Sequence, residues 1–286
     1  MTQSAQIRAA IDATGCAMGP DVIAGCRQLF GEEQMALVAA VPPVASDVPY
    51  GPDARHVLDI YAPVDARDAP VVVFVHGGGF VLGSKCEDGW ANAAVGRWAA
   101  TQGMVGVVIN YRLAPDHLWP AGGADVGAAV DWVRANIGAY GGDPARIVAM
   151  GTSAGAVHVA GFLSLRPDHA DLVRGAVLLS GLYGYTPLDV KDERYYGAPE
   201  DYPARMPREG VAATTLPLFV AAAQYDPQRF QAEFLGLMTE RNQRHGTMPL
   251  GHIANGHNHY SMAMHIGTSD TRLSAEVADF ITRVCA

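Results

Sequence analysis

Apolar residues along the chain fall into short runs separated by longer amphipathic stretches. Six runs have the length of a strand: HVLDIYAP (56–63), VVVFVHG (71–77), VGVVINYR (105–112), RIVAMG (146–151), GAVLLSG (175–181) and LPLFVAAAQYD (216–226). Most of them are apolar at nearly every position instead of alternating with polar residues. That pattern is typical of strands buried on both faces of a parallel sheet.

The stretches between these runs have the apolar spacing of helices. They cover residues 88–103, 121–142, 154–165, 227–246 and 269–286. Strands that alternate with helices predict an α/β fold, in which an open, mostly parallel sheet carries helices on both faces.

Two segments break this alternation. Residues 1–45 have a helical pattern and lead into the helix-breaking sequence VPPVASDVP, whereas residues 183–213 combine Pro, Tyr and charged residues without a period. Because we find no internal repeat, we expect a single domain over residues 1–286. Either segment can cover a pocket, and residues 183–213 form a small cap or an ordinary surface excursion. Five aromatic residues are candidates for the wall of such a pocket, and the alternative is that they fill the core or lie on the surface: Trp90, Tyr183, Tyr185, Tyr195 and Tyr196.

Composition narrows the class of protein. A chain of 286 residues that is 49% hydrophobic can bury a sizeable core. The net charge of −9 and the lack of a Lys/Arg cluster argue against a nucleic-acid partner. Four cysteines (Cys16, Cys26, Cys86 and Cys285) have no metal-binding or disulfide spacing, and no run reaches the roughly 18 apolar residues of a membrane span. We therefore expect a cytoplasmic monomer or homodimer with no membrane partner.

A serine between two glycines is the first candidate for chemistry. MGTSAGAV (150–157) places Ser153 where a predicted strand turns into a predicted helix. A G-x-S-x-G sequence in that context is the arrangement of a nucleophile elbow, although an isolated copy also describes a plain turn. Gly151 and Gly155 would let the strand and the helix approach each other closely around the serine.

The sequence HGGGF (76–80) supports the same chemistry. It follows a predicted strand, and its consecutive glycines can present backbone N–H groups to the oxyanion that forms when a serine attacks a carbonyl carbon. An anion-binding nest is the alternative, but no G-K-[ST] follows, which argues against a nucleotide P-loop.

A serine nucleophile also needs a base and a carboxylate that orients the base. In α/β-hydrolases these follow the serine in the order Asp or Glu, then His. Asp226 ends the last long apolar run. It would therefore lie at the carboxyl edge of the predicted sheet, where the active sites of open α/β sheets are found. The alternative is that Asp226 caps a helix that begins at Pro227. Asp189 and Asp192 are weaker candidates.

Five histidines follow Asp226, and their spacing leaves the base open. They are His245, His252, His257, His259 and His265. His252 lies in the apolar stretch PLGHIA and is expected to be an ordinary strand residue. Although clustered histidines can bind zinc, no H-E-x-x-H spacing occurs, so we expect neither a metal nor a cofactor.

Three sequences together resemble a known family. HGGGF, YRLAPDHLWPAGGADV (111–126) and GGDPARIVAMGTSAGA (141–156), in this order, resemble the hormone-sensitive-lipase-like carboxylesterases of the α/β-hydrolase fold. The resemblance covers most of residues 56–286. It implies that Ser153 is the nucleophile, that Asp226 is the acid and that a histidine within 257–259 is the base. The resemblance also implies an oxyanion hole. The N–H groups that form it are those of Gly78, Gly79 and Ala154.

The resemblance sets the expected substrate and the choice of base. NHYS (258–261) is similar to the arylformamidase and feruloyl-esterase-like branches and favours His259 over His257. Thr152 departs from the pattern, since many relatives have an acidic residue there. We expect acylation of Ser153 by carboxylic esters with a small or medium acyl chain, and the alternative is hydrolysis of amides, formamides or lactones. A noncatalytic binding protein is less favoured, because every part of the triad is present.

Overall fold

The computed structural model describes residues 3–286 and contains an eight-stranded sheet with the order β1-β2-β4-β3-β5-β6-β7-β8. The strands are β1 (Ala45–Pro49), β2 (Val57–Tyr61), β3 (Ala69–Val75), β4 (Val105–Ile109), β5 (Gly142–Thr152), β6 (Gly175–Leu179), β7 (Leu218–Tyr225) and β8 (Leu250–Asn258). Strands β3 to β8 run parallel, and β1 and β2 are antiparallel at one edge. The predicted open, mostly parallel α/β sheet is confirmed.

Helices cover both faces of this sheet. They are α1 (Ala5–Thr14), α2 (Pro20–Ala40), α3 (Ala93–Thr101), α4 (Ala121–Asn136), α5 (Ala154–Leu165), α6 (His169–Leu172), α7 (Glu193–Tyr196), α8 (Tyr202–Arg205), α9 (Arg208–Ala213), α10 (Gln228–His245), α11 (Ser261–Met264) and α12 (Arg272–Val284). Alternate residues of β3 divide between two cores: Val73 packs with α4, α5 and α10, whereas Phe74 packs with α3 and α12. A strand buried on both sides is therefore apolar throughout, as its sequence indicates.

The structure differs from the sequence predictions at one edge of the sheet and at the ends of two helices. Residues 45–49, expected to be part of a breaker, form β1, where Pro49 is tolerated because the strand lies at the outer edge. The helix expected from residue 88 begins at Ala93, since Asp88 and Asn92 have positive φ. The helix expected to reach residue 142 ends at Asn136, and a 3-10 turn follows it.

The two segments outside the alternation pack on different parts of the molecule. Helix α1 lies beside β8, and α2 lies on α3 and α11. Residues 183–213 form α7, α8 and α9 with two 3-10 turns, and α9 packs against α5 and α10. Among residues 3–286, none of the helices combines the length and the apolar character needed to cross a membrane.

Candidate active site

Ser153 lies on a sharp turn between β5 and α5. Its φ of +53° is rare for a residue with a side chain. Its N–H donates to the carbonyl oxygen of Leu179 at 2.8 Å, which holds the turn against β6. Gly155 permits the close approach of β3, because a Cβ there would lie 2.1 Å from the carbonyl oxygen of Val75. The half-buried side chain of Ser153 therefore stands at the carboxyl edge of the sheet.

The structure brings together the three residues that the sequence predicts for a triad. His259, just after β8, has its Nε2 2.9 Å from Ser153 Oγ and its Nδ1 2.7 Å from Asp226 Oδ1. His259 and Asp226 are both buried. A neutral imidazole protonated on Nδ1 would donate to the carboxylate and accept the serine proton on Nε2, which is the hydrogen-bond chain of a serine hydrolase.

The carboxylate of Asp226 makes its hydrogen bonds away from the helix that follows it. Its carboxylate accepts hydrogen bonds from His259, from the hydroxyl of Ser180 at 2.6 Å and from the backbone N–H of Ala223 at 2.7 Å. The N-cap of α10 is Pro227, so the alternative role of Asp226 as a helix cap does not describe its side chain.

The two weaker candidates for the triad acid stabilise the structure of residues 183–213. Asp189 and Asp192 form a capping box at the 3-10 turn Val190–Asp192. Asp192 also pairs with Arg229 at 2.5 Å. The structure does not place either carboxylate on His259.

The neighbouring histidine makes a separate cluster. His257 Nε2 lies 3.1 Å from Asp270, its Nδ1 lies 3.1 Å from Ser261 Oγ, and its ring stacks on His265 at 3.8 Å between ring centroids. Burial lowers the pKa of His257, against the opposing effect of its bond to Asp270. Burial also lowers the pKa of His265, to about 3. These two rings therefore form a buried, stacked pair whose hydrogen-bond partners are Asp270 and Ser261.

The two remaining candidate histidines have hydrogen-bond partners outside the triad. His252 lies on β8 and pairs with Glu276 at 2.9 Å, and His245 Nε2 lies 2.9 Å from the carbonyl oxygen of Ala212. Within residues 3–286, no group of three or more His, Cys, Asp or Glu side chains is arranged to hold a metal ion.

The HGGGF loop passes directly beside the serine. A Cβ at Gly77 would lie 3.2 Å from Ser153 Cβ. Gly78 has φ +130°, and a Cβ there would lie 2.0 Å from the carbonyl oxygen of Leu82, so the loop requires glycine at this position. In the part of the chain that the structure describes, the N–H groups of Gly78, Gly79 and Ala154 donate to no protein acceptor.

Aromatic rings form one wall of the site. Phe80, which ends the loop, stacks on Tyr195 at 4.6 Å and meets Tyr196 edge-on at 5.8 Å, and these residues pack in one core with Ala154. Phe230 of α10 places its ring 4.3 Å from that of His259. The segment 183–213 therefore reaches the site through Tyr195 and Tyr196.

The other aromatic candidates lie elsewhere. Trp90 packs with Ile11 of α1 and Phe30 of α2. Tyr183 is buried in the core between the sheet and α5, and Tyr185 lies under the guanidinium of Arg208. The five aromatic residues thus divide between the site and the core.

Ser180 and Phe230 contact the triad, yet sequence reasoning missed them. Ser180 follows a strand and Phe230 lies on an amphipathic helix, positions that usually have only structural roles. The end of the GAVLLSG run at the carboxyl edge of the sheet was the available signal for Ser180.

The sequence is similar to a family model and to proteins named as esterases. Residues 58–187 match the BD-FAE family model. Esterase LipQ of Mycobacterium tuberculosis is 31% identical over 265 residues, which cover 82% of this chain and 61% of LipQ. Carboxylesterase NlhH of the same organism is 48% identical over 99 residues, or 34% of this chain and 30% of NlhH. The chain thus spans less than two thirds of the length of these relatives.

Solved structures share the fold along nearly the whole chain. A hyperthermophilic esterase from the archaeon Pyrobaculum calidifontis superposes with a TM-score of 0.72 at 24% identity and covers 100% of both chains. The carboxylesterase EstE1, cloned from a metagenomic library, superposes with a TM-score of 0.70 at 25% identity and covers 92% of this chain and 98% of its own. The predicted resemblance is confirmed: the chain has the α/β-hydrolase fold and is similar in sequence to carboxylesterases.

Proposed function

We propose that the protein is a serine hydrolase that cleaves carboxylic esters through an acyl-enzyme on Ser153. The observation that carries this proposal is the continuous chain of hydrogen bonds from Ser153 Oγ through the His259 ring to Asp226. The relatives named esterases support the choice of ester hydrolysis.

The first half of the reaction transfers the acyl group to the enzyme. His259 Nε2 takes the Ser153 proton as Oγ attacks the ester carbonyl carbon, and Asp226 stabilises the imidazolium that forms. The oxyanion of the tetrahedral intermediate is bound by the N–H groups of Gly78 and Gly79, which follow Gly77 on the loop beside Ser153, and of Ala154, which follows Ser153; none of the three has a protein acceptor within residues 3–286. His259 then gives its proton to the leaving alkoxide as the carbon–oxygen bond breaks.

The second half restores the serine. A water molecule enters where the alcohol has left, His259 takes its proton, and the hydroxide attacks the acyl carbon. The second tetrahedral intermediate expels Ser153 Oγ, which recovers its proton from His259. The net reaction converts one ester and one water into one carboxylic acid and one alcohol.

The aromatic wall limits the size of the acyl group. Tyr195 and Tyr196 are buried against Phe80, next to the loop that we assign to the oxyanion. Rings that are already packed leave little room for a long chain on that side. A small-molecule ester with a small or medium acyl chain is therefore the substrate that we propose.

Covalent labelling tests the nucleophile. A fluorophosphonate should add one label to the wild-type protein, and digestion should locate that label on the peptide that contains Ser153. Ser153→Ala should abolish the label, whereas Ser164→Ala, an exposed position on the same helix α5, should leave labelling unchanged. Full labelling of a folded Ser153→Ala variant would contradict the assignment.

A substrate panel tests the reaction. Nitrophenyl esters of graded acyl length, together with an aryl formamide and a lactone, should give the highest kcat/KM with an ester of small or medium acyl chain, because the packed rings leave little room for a long one. A preference for the formamide or the lactone would replace ester hydrolysis with the corresponding reaction of the same triad.

A further inference from the structure

Ser180 has a backbone conformation that its residue type does not favour. It follows β6, is 2% exposed and has φ +48°. Left-handed φ values are rare for residues other than glycine, because Cβ meets the backbone. The Ser180 N–H donates to the carbonyl oxygen of Ala221 at 2.8 Å, which fixes this backbone against β7. A glycine would adopt the same conformation without strain, so the serine side chain needs a separate explanation.

The hydroxyl of Ser180 supplies that explanation. It donates to Oδ2 of Asp226 at 2.6 Å, while Oδ1 of the same carboxylate faces His259 Nδ1 at 2.7 Å. The backbone N–H of Ala223 also donates to Oδ2, at 2.7 Å. Two donors therefore hold one carboxylate oxygen in place, and this fixes the direction in which the other oxygen points.

Burial makes these donors important. Asp226 is 0% exposed, and a buried carboxylate is stable in its charged form only where hydrogen bonds replace water. Among the described residues, Ser180 and His259 are the two whose side chains donate to the Asp226 carboxylate. Removal of the hydroxyl would leave Oδ2 with the Ala223 N–H as its one remaining donor.

We propose that Ser180 is a positioning residue that acts through Asp226: its hydroxyl orients the carboxylate, so that Oδ1 meets His259 and the imidazolium is stabilised during catalysis. This inference rests on the proposed function, since it assigns Ser180 to the same triad. The strained backbone of Ser180 places its hydroxyl within reach of Asp226.

Two substitutions separate the hydroxyl from the backbone strain. Ser180→Gly removes the hydroxyl and relieves the strain, whereas Ser180→Ala removes the hydroxyl and keeps the strain. If Ser180 positions Asp226, both variants should lose about 10- to 100-fold in kcat/KM on a nitrophenyl ester, the range expected for one hydrogen bond to a charged group. The midpoint of thermal unfolding should be higher for Ser180→Gly than for Ser180→Ala. Both variants lack the hydroxyl, but only glycine relieves the strain of the positive φ.

Two controls connect the loss to Asp226. In an Asp226→Ala background, Ser180→Gly should cause no further loss in kcat/KM, since the two residues act as a unit. Asp65→Gly relieves a φ of +63° at an exposed position and should leave kcat/KM unchanged. Wild-type kcat/KM in either folded Ser180 variant overturns the proposal, and so does full additivity with Asp226→Ala.

A spectroscopic readout separates this inference from the proposed function. The proton between His259 Nδ1 and Asp226 should give a low-field NMR signal that disappears in His259→Ala and shifts upfield in Ser180→Gly. An unshifted signal in Ser180→Gly overturns the positioning role. A wild-type protein that cleaves no ester but shows the Ser180-dependent signal would contradict the proposed function and retain the positioning of Asp226.

Discussion

His257 and His259 are two residues apart, yet they belong to different networks. His259 reaches Asp226 and Ser153, whereas His257 reaches Asp270. Burial alone would raise the pKa of Asp270, but hydrogen bonds from Arg272 and His257 hold it well below its usual range. The carboxylate beside each ring therefore distinguishes the two histidines: Asp270 lies 13 residues after His257, and Asp226 lies 33 residues before His259.

Substitution of each histidine should separate the two networks. His259→Ala should lower kcat by about 10⁴-fold or more, similar to Ser153→Ala, because the members of a triad act together. His257→Ala should retain most of kcat and lose stability instead, since it removes a buried ring and one partner of Asp270. Steady-state kinetics on a nitrophenyl ester, with thermal unfolding followed by circular dichroism, checks both. An inactive, folded His257→Ala beside an active His259→Ala would reverse the assignment.

At the scale of elements, the sequence predicts the strands and helices whose burial gives them a regular apolar pattern. The apolar runs of β3 to β7 locate the inner strands, because burial on both faces leaves no polar positions. The edge strand β1 has only Ala45 and Val48 packed against the core, so its sequence carries no such signal. The triad residues at the strand ends were predictable as candidates, but Ser180 was not, since a serine after a strand is common.

The N-terminal helices show the limit of local patterns. From the sequence, residues 1–45 were one of two segments that can cover a pocket, and the structure shows contacts from α1 and α2 to the segment that carries His259. Gln34 on α2 donates to the carbonyl oxygens of Met264 and Ile266, each at 2.9 Å, and Thr14 on α1 accepts from Asn258 at 3.2 Å. These partners are 230 or more residues apart in the chain. No periodicity within a short window could predict them.

Removal of one such contact should loosen the histidine segment. Gln34 is 1% exposed, so Gln34→Ala leaves two carbonyl groups without a donor and should lower the free energy of unfolding by about 1–3 kcal/mol. Hydrogen exchange at residues 256–266 should accelerate, and kcat should fall a few-fold. Gln28→Ala, at an exposed position on the same helix, is the matched control. Unchanged exchange in Gln34→Ala would show that α2 does not support this segment.

At the scale of the whole molecule, strand order assembles the site. Four adjacent parallel strands, β5, β6, β7 and β8, end beside one another. The residues at or just after their carboxyl ends are Ser153, Ser180, Asp226 and His259. The sequence predicts the strands and a parallel sheet, but the order of strands that brings these four residues together is a property of the folded chain.

The same core that supports the site also makes the fold sensitive to acid. His158 on α5 is 1% exposed, and its ring lies among Tyr111, Tyr195 and Phe80. Both of its ring nitrogens are buried without a hydrogen-bond partner in the described part of the chain. Burial lowers the pKa of His158 to about 3, so the ring is neutral in the folded protein at neutral and mildly acidic pH.

Acid should therefore destabilise the protein through His158, and the substitution His158→Met should reduce that effect. Between pH 6.5 and about 3 the unfolded chain binds a proton at this position and the folded chain does not, so the free energy of unfolding falls as the pH falls. At about 1.4 kcal/mol per pH unit, this one histidine accounts for about 2 kcal/mol between pH 6.5 and 5.

Urea denaturation at pH 7.5 and pH 5 should show that His158→Met, which fills the site with an uncharged side chain, loses about 2 kcal/mol less than the wild type over this interval. His76 and His265, with pKa values lowered by burial to about 4 and about 3, should preserve an acid-dependent loss in both proteins. The same pH dependence in the variant and the wild type would mean that His158 gains its proton as readily in the folded chain as in the unfolded one.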